Sequence, residues 1–264
     1  MTEPTSKEIP DPWGLLHAEL DAWAATGKPA TLWWRDDDAV APGKKLNKLV
    51  ELTANSGLLL AVIPANVKTT LATHLATCQH VEIAQHGYAH INHAPRGQGL
   101  GAWELGLHRG QAAVLSELAV GRQQLEALFE DRFLHVIVPP WNRIAAPLVL
   151  AIHDKGYRGL SAFGVPENSD IPEGFIVANA HCDPIRWKSG ASFAGELKTI
   201  MQLVTHLEAR RCGRVDRHEH TGYLTHHINL DSEGWKFSAR LVSLIDSHPG
   251  AQWVSPSTVF GYSS

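Results

Sequence analysis

From about residue 30 onward, short apolar runs of β type alternate with stretches of helical periodicity, and that alternation admits few folds. "ATLWWRD", "GLLLAVIP", "HVEIAQ", "FLHVIVPP", "YRGLSAFG", "TGYLTHHINL" and "AQWVSP" read as strands. Between them, Leu46, Leu49, Val50 and Thr53 share a helical face, as do Leu197, Ile200, Met201, Val204 and Leu207, and Phe237, Leu241, Leu244 and Ile245. Further helices are expected over "NVKTTLATHLAT", around residues 104–130 and over "APLVLAIHDKG". Seven or so such repeats, with no Pro/Gly-rich linker, predict one α/β domain over 1–264 built on a parallel sheet, as a barrel or an open sheet. Residues 1–29 read as an N-terminal extension whose Leu15, Leu16, Leu20 and Trp23 predict a packed amphipathic helix.

Parallel sheets carry their chemistry at the carboxyl ends of strands, so the loops that follow each strand are the informative residues. They read "RDDDA" after the first strand, "QHGYAH" after the third, "PPWNR" after the fourth and "LTHH" late in the chain. Asp36, Asp37 and Asp38 in succession repel one another unless a positive group neutralises them. A bound cation satisfies that requirement, and so does capping of a helix or pairing with Arg35. His86 and His90, four apart across Gly87, suit a strand-to-loop turn that converges two imidazoles. Two imidazoles and one carboxylate leave coordination positions open, which is a catalytic pattern more than a structural one. His93 is read as a loop residue outside that set. His226 and His227, adjacent in a strand, point to opposite faces, so one of them can face a site and shuttle a proton. Trp141 on a proline-stiffened turn, and Asp183 and Trp187 in "HCDPIRW", add a possible apolar wall and a further carboxylate.

Composition narrows the partners. With 23 basic and 27 acidic residues the formal charge is −4, without a like-charge block, which argues against nucleic acid and against an anionic membrane surface. No apolar run nears the roughly 20 residues that span a bilayer. The polar, proline-bearing start does not read as a secretory leader, so a cytoplasmic location is expected. Cys78, Cys182 and Cys212, odd in number and far apart, argue against a disulfide framework and a cysteine zinc site.

Taken in order, these strand ends resemble the polysaccharide deacetylases, carbohydrate esterase family four, also called the NodB-homology domain, over roughly residues 30–258. The resemblance implies a distorted (β/α)7 barrel, one divalent metal with zinc as the first expectation, and a carbohydrate or other small N-acyl substrate. The family's two aspartates before a glycine match "RDDDA" with Ala39 in the glycine's place, making Asp37 the catalytic base and Asp38 a metal ligand. A slip of one residue would give those roles to Asp36 and Asp37, and both registers stay open. His86 and His90 match the other two ligands, and Leu224-Thr225-His226 the motif that supplies the general acid, with His227 turned away. The third motif departs from the family: Val138 stands where an arginine orients the catalytic aspartate, and Asn142 where a glycine follows the aromatic Trp141. Arg35 or Arg143 are candidate substitutes for that arginine, and Asp183 a candidate to orient His226. Trp141, Asn142 and Trp187 are the expected substrate contacts.

The implied activity is metal-dependent hydrolysis of a non-peptide carbon–nitrogen bond, as in an N-deacetylase. Cyclic amides are an alternative substrate class, and the missing motif-three arginine supports a second reading, a metal-binding barrel that serves as a binding or regulatory protein.

Overall fold

The computed structural model describes residues 11–164 and 171–262. Nine strands form one mostly parallel sheet: β1 (Ala30–Ala39), β2 (Leu58–Val62), β3 (Val81–His86), β4 (Phe133–Val138), β5 (Gly159–Leu160), β6 (Ile176–Val177), β7 (Ala180–Cys182), and, after the hairpin β8 (Ile185–Arg186) and β9 (Ser192–Phe193), β10 (Thr221–Thr225) and β11 (Ala251–Trp253). The helices are α1 (Pro12–Ala24), α2 (Lys44–Leu52), α3 (Thr69–Leu75), α4 (Gln111–Phe129), α5 (Ala146–Asp154), α6 (Glu196–Arg211), α7 (Ser232–Ser247) and α8 (Pro256–Val259).

The sheet runs β6-β5-β4-β3-β2-β1-β10-β7, with β11 beside the start of β1. A parallel bridge from Phe163 to Ala180 ties the chain leaving β5 to β7. The sheet is thereby curled into the distorted β/α barrel that the strand ends implied. All its neighbouring pairs are parallel, so the carboxyl ends of β1, β3, β4 and β10 gather on one rim.

Strand alternation divides the apolar residues between two cores. Leu58, Leu60 and Val62 of β2 join the helix-facing core with Trp34, Ile200 and Leu241, whereas Leu59 and Ala61 face the barrel interior with Trp33, Val136 and Phe260. Trp33 and Phe260 meet edge to face at 5.8 Å, which plugs the end of the barrel opposite the rim. The same alternation later decides which aspartates can share a site.

Asp11 caps α1 by accepting from Trp13 N–H, Pro12 occupies the first turn, and the helix packs on α6. Its buried face is Trp13, Leu16, Leu20 and Trp23, whereas Leu15, expected on that face, is exposed. Two elements are shorter than the sequence suggests. The helix expected around 104–130 begins at Gln111, because Gly110 at φ 81° and Gly106 interrupt it. The strand expected over "TGYLTHHINL" stops at Thr225, so His226 and His227 lie in the turn that follows. Among the described residues no helix is long and apolar enough to cross a membrane.

Candidate metal centre

The three aspartates of β1 take three directions. Asp36 shares the helix-facing side with Trp34: its Oδ2 accepts from Thr225 Oγ1 at 2.6 Å and from the His227 N–H at 2.8 Å, and its Oδ1 lies 2.5 Å from His227 Nδ1. Asp37, one residue on, faces the interior, where Arg35 Nη2 donates to Oδ2 at 3.1 Å and Nε lies 3.0 Å from Oδ1. The register against β2 then shifts between Asp36 and Ala39, and Asp38 takes a positive φ of 72°. That irregularity re-aims Asp38, whose Oδ1 comes to 3.2 Å from His86 Nε2 and 3.4 Å from His90 Nε2.

These three donors suit a small divalent cation. Tetrahedral zinc bonds of ~2.0–2.1 Å place neighbouring ligand atoms roughly 3.3 Å apart, close to both separations seen here. His86 Nδ1 lies 2.9 Å from the Val138 carbonyl and, as its donor, leaves the Nε2 lone pair toward Asp38, the arrangement of a metal-ligating imidazole. Asp38 Oδ1 is buried and has no hydrogen-bond partner among the described residues. Burial alone would raise the Asp38 pKa, but the imidazoles of His86, His226 and His90 beside it hold the carboxyl well below the usual range. Burial lowers the His90 pKa, with the His86 charge acting in the same direction, which favours the neutral imidazole that a metal requires.

Backbone in the left-handed region builds the rim. His90, Trp141 and Asn142 join Asp38 at φ between 54° and 72°, so four strained non-glycine residues meet at one place. Glu104, from the segment expected to be helical, is buried beneath the β3 loop, where it accepts from Ala89 N–H at 2.7 Å and Tyr88 N–H at 3.2 Å. Gly87 has φ 56°, and a Cβ there would collide with Glu104 Oε2 and the Pro140 ring. Gly87→Ala is expected to cost roughly 1–3 kcal/mol in backbone strain alone, lowering Tm by on the order of 5 °C in a thermal melt.

Asp38, His90, Trp141, Asn142, Phe163, Asp183, Trp187 and His226 line a cavity of about 400 Å³. The Trp141 ring lies 4.4 Å from His90, and Trp187 stands edge-on to His226 at 4.7 Å. His226 Nε2 is 4.0 Å from Asp37 Oδ2. The buried guanidinium of Arg35 reaches Asn142 Oδ1, the Ser161 carbonyl and hydroxyl, and the Ala162 carbonyl, besides Asp37. It therefore orients Asp37 from within β1, while Arg143 is turned toward the Leu100 carbonyl and Trp103. Asp183 does not hydrogen-bond to His226: its oxygens accept from Ile185 N–H and Trp187 Nε1, and His226 Nδ1 has no partner among the described residues. Sequence reasoning missed Glu104 and Phe163; the two glycines that break the expected helix after Glu104 were the available signal for the first.

A second group, His181, His206 and Glu219, also brings possible ligand atoms together. Its hydrogen bonds exclude the same use. The Gly222 N–H donates to His181 Nδ1, so the proton of the neutral ring sits on Nε2 and is given to Glu219 Oε1 at 3.0 Å. The His206 ring stacks on His181 at 3.4 Å, with its Nε2 3.5 Å from Glu219 Oε2. Burial, with the His206 charge beside it, lowers the His181 pKa to about 4, and hydrogen bonds from both imidazoles outweigh burial to lower Glu219 to about 2. In both cases the folded state holds the proton less tightly than the unfolded chain. Stability from His181 is thus present above about pH 6.5 and is lost as pH falls toward 4. Denaturant melts should show that decline, and His181→Asn should flatten it.

No protein-family model matches the sequence, and no curated protein does. Solved structures do match. A putative polysaccharide deacetylase from Mycobacterium smegmatis superposes with a TM-score of 0.64 at 13% identity, over 89% of this chain and 90% of that one. The chain has the polysaccharide-deacetylase fold. The Bc1960 peptidoglycan N-acetylglucosamine deacetylase matches with a TM-score of 0.54 at 14% identity, over 89% of this chain and 90% of that one. A mutant of BA3943, a CE4 family pseudoenzyme with restored enzymatic activity, matches with a TM-score of 0.55 at 14% identity, over 89% of this chain and 68% of that one. This deacetylase fold thus accommodates enzymes and a pseudoenzyme alike, and the residues at the rim have to carry the functional argument.

Proposed function

We propose that this chain is a metal-dependent hydrolase that removes an acyl group from an amide nitrogen of a sugar or another small N-acyl compound. The observation that carries the reading is one cavity lined by Asp38, His90 and His226, with the buried His86 completing the donor set from behind and Asp37 Oδ2 4.0 Å from His226 Nε2. Asp38, His86 and His90 would hold the cation, with zinc the first expectation from two imidazoles and a carboxylate. Such a cation supplies Lewis-acid polarisation of an acyl carbonyl and makes water more acidic.

The chain's own groups move the protons. Asp37, fixed by Arg35, accepts one from water as the water oxygen attacks the acyl carbon. His226 gives one from Nε2 to the leaving nitrogen as the C–N bond breaks, because an amine cannot depart as an anion. A carboxylic acid and a free amine result. Trp141, Phe163 and Trp187 present apolar surface that fits a sugar face or a short acyl chain, and Asn142 both lines the cavity and accepts from Arg35.

The reading as a binding protein without hydrolysis drew on Val138 in the arginine's place. Arg35 reaches the same carboxylate from another strand, which supports the enzymatic reading instead. The test is acetate release from a panel of N-acetylated sugars, N-acetylated amines and ring amides, with protein loaded with zinc, cobalt or manganese. Metal-dependent turnover of an acetamide is expected; tight metal binding without turnover on the whole panel would overturn the proposal.

A further inference from the structure

Catalysis by the proposed general acid requires a fixed imidazole, yet among the described residues no hydrogen bond fixes the His226 ring. Its Nδ1 is buried without a partner among the described residues, and its Nε2 lies 4.0 Å from Asp37. The residues on either side of it are held instead, and both by one carboxylate. Thr225 Oγ1 accepts from Trp34 Nε1 at 2.9 Å and donates to Asp36 Oδ2 at 2.6 Å. His227 is bound to Asp36 twice, through its backbone N–H at 2.8 Å and its Nδ1 at 2.5 Å. Asp36 itself is fully buried on the helix-facing side of the sheet, out of reach of the cavity.

We infer that Asp36 is a positioning residue: it clamps Thr225 and His227, and so sets the place from which His226 delivers its proton to the leaving group. This rests on the assignment of His226 as general acid. The first aspartate of the run and the second histidine of the pair, which the cavity chemistry leaves aside, then share one purpose. A displacement of about 1 Å in such a group can cost on the order of 100-fold in rate, so the clamp has a measurable consequence.

The test compares two leaving groups. The best acetamide of the panel needs a protonated nitrogen to leave, whereas 4-nitrophenyl acetate releases a phenolate that does not. Asp36→Ala is expected to lower kcat on the acetamide about 100-fold with KM unchanged, and kcat on the ester less than about threefold. Metal content should not change, because Asp36 contacts none of the proposed ligands. Thr225→Val, close in shape and safer for folding, removes one arm of the clamp and should give a smaller loss with the same selectivity. Asp36→Asn keeps an acceptor for Thr225 and the His227 N–H and should restore most of the amide rate. A role in stability alone would lower Tm and leave the amide-to-ester ratio at its parent value, which overturns the inference. His226→Ala is the control: if it loses amide and ester turnover equally, the general-acid assignment fails and the inference falls with it. If His226→Ala is amide-selective and neither Asp36→Ala nor Thr225→Val is, the inference alone fails.

Discussion

His90→Ala is expected to reduce bound transition metal from about one equivalent per chain to less than about a tenth, with His86 and Asp38 too few to retain it. Element-specific analysis of both proteins, prepared identically and incubated with zinc, cobalt and manganese, reads this directly. Acetamide turnover should fall by at least ~10³-fold, because a cation in such a site contributes several kcal/mol of charge stabilisation and 1.36 kcal/mol is a factor of ten. His90 is suited to the test because its side chain is a quarter exposed on the rim, whereas that of His86 is buried. The stoichiometry carries a second expectation. His181 accepts from the Gly222 N–H at Nδ1, which leaves its Nε2 protonated and unable to coordinate, so the parent should hold about one equivalent and not two. Retention of metal by the variant would remove His90 from the ligand set, and two equivalents in the parent would contradict the tautomer assigned to His181.

Asp37→Asn should have the largest effect that spares the metal. The amide cannot accept a proton from water, and loss of a general base costs ~10²–10⁴-fold in kcat. Asp38, His86 and His90 remain, so metal content should match the parent. Stability should also suffer, because Arg35 is fully buried and loses the only carboxylate paired with it among the described residues. Breaking such a pair from one side costs about 3–5 kcal/mol, although the Ser161, Ala162 and Asn142 oxygens moderate this. Rates therefore need to be measured well below the variant's melting temperature and compared per equivalent of bound metal. Equal kcat in the two proteins would show that Asp37 is not the proton acceptor, while a loss matched by a loss of metal would mean that it belongs to the ligand set.

Much of the fold was legible because a hydrophobic period is a local property of the chain. The buried strands and the helical faces follow from it and gave an α/β domain on a parallel sheet, while the barrel was implied only by the resemblance of the strand-end motifs. The errors fell where local signals competed: the apolar pattern around 104–130 outvoted Gly106 and Gly110, and "LTHH" continued a strand that ends at Thr225. His86, His90 and the aspartate run were visible as chemistry because imidazoles and carboxylates at strand ends have few structural uses. Glu104 was not visible, since a lone glutamate in a helical pattern reads as a solvated face.

The sequence by itself determined the class of fold, the rim on which the chemistry gathers and the residue types present there. It could not divide three consecutive aspartates among three tasks, and it left two registers open. Tertiary structure gives the three carboxylates different surroundings, for two physical reasons. The period of two along β1 sends Asp36 and Asp37 to opposite faces, and the irregularity after Asp36, with Asp38 in the left-handed region, turns the third carboxylate toward the histidines. The place of the missing arginine is likewise a matter of three dimensions. A guanidinium two residues before Asp37 lies on the same face of the same strand, and only the packed barrel shows it reaching both Asp37 and the turn that carries Asn142.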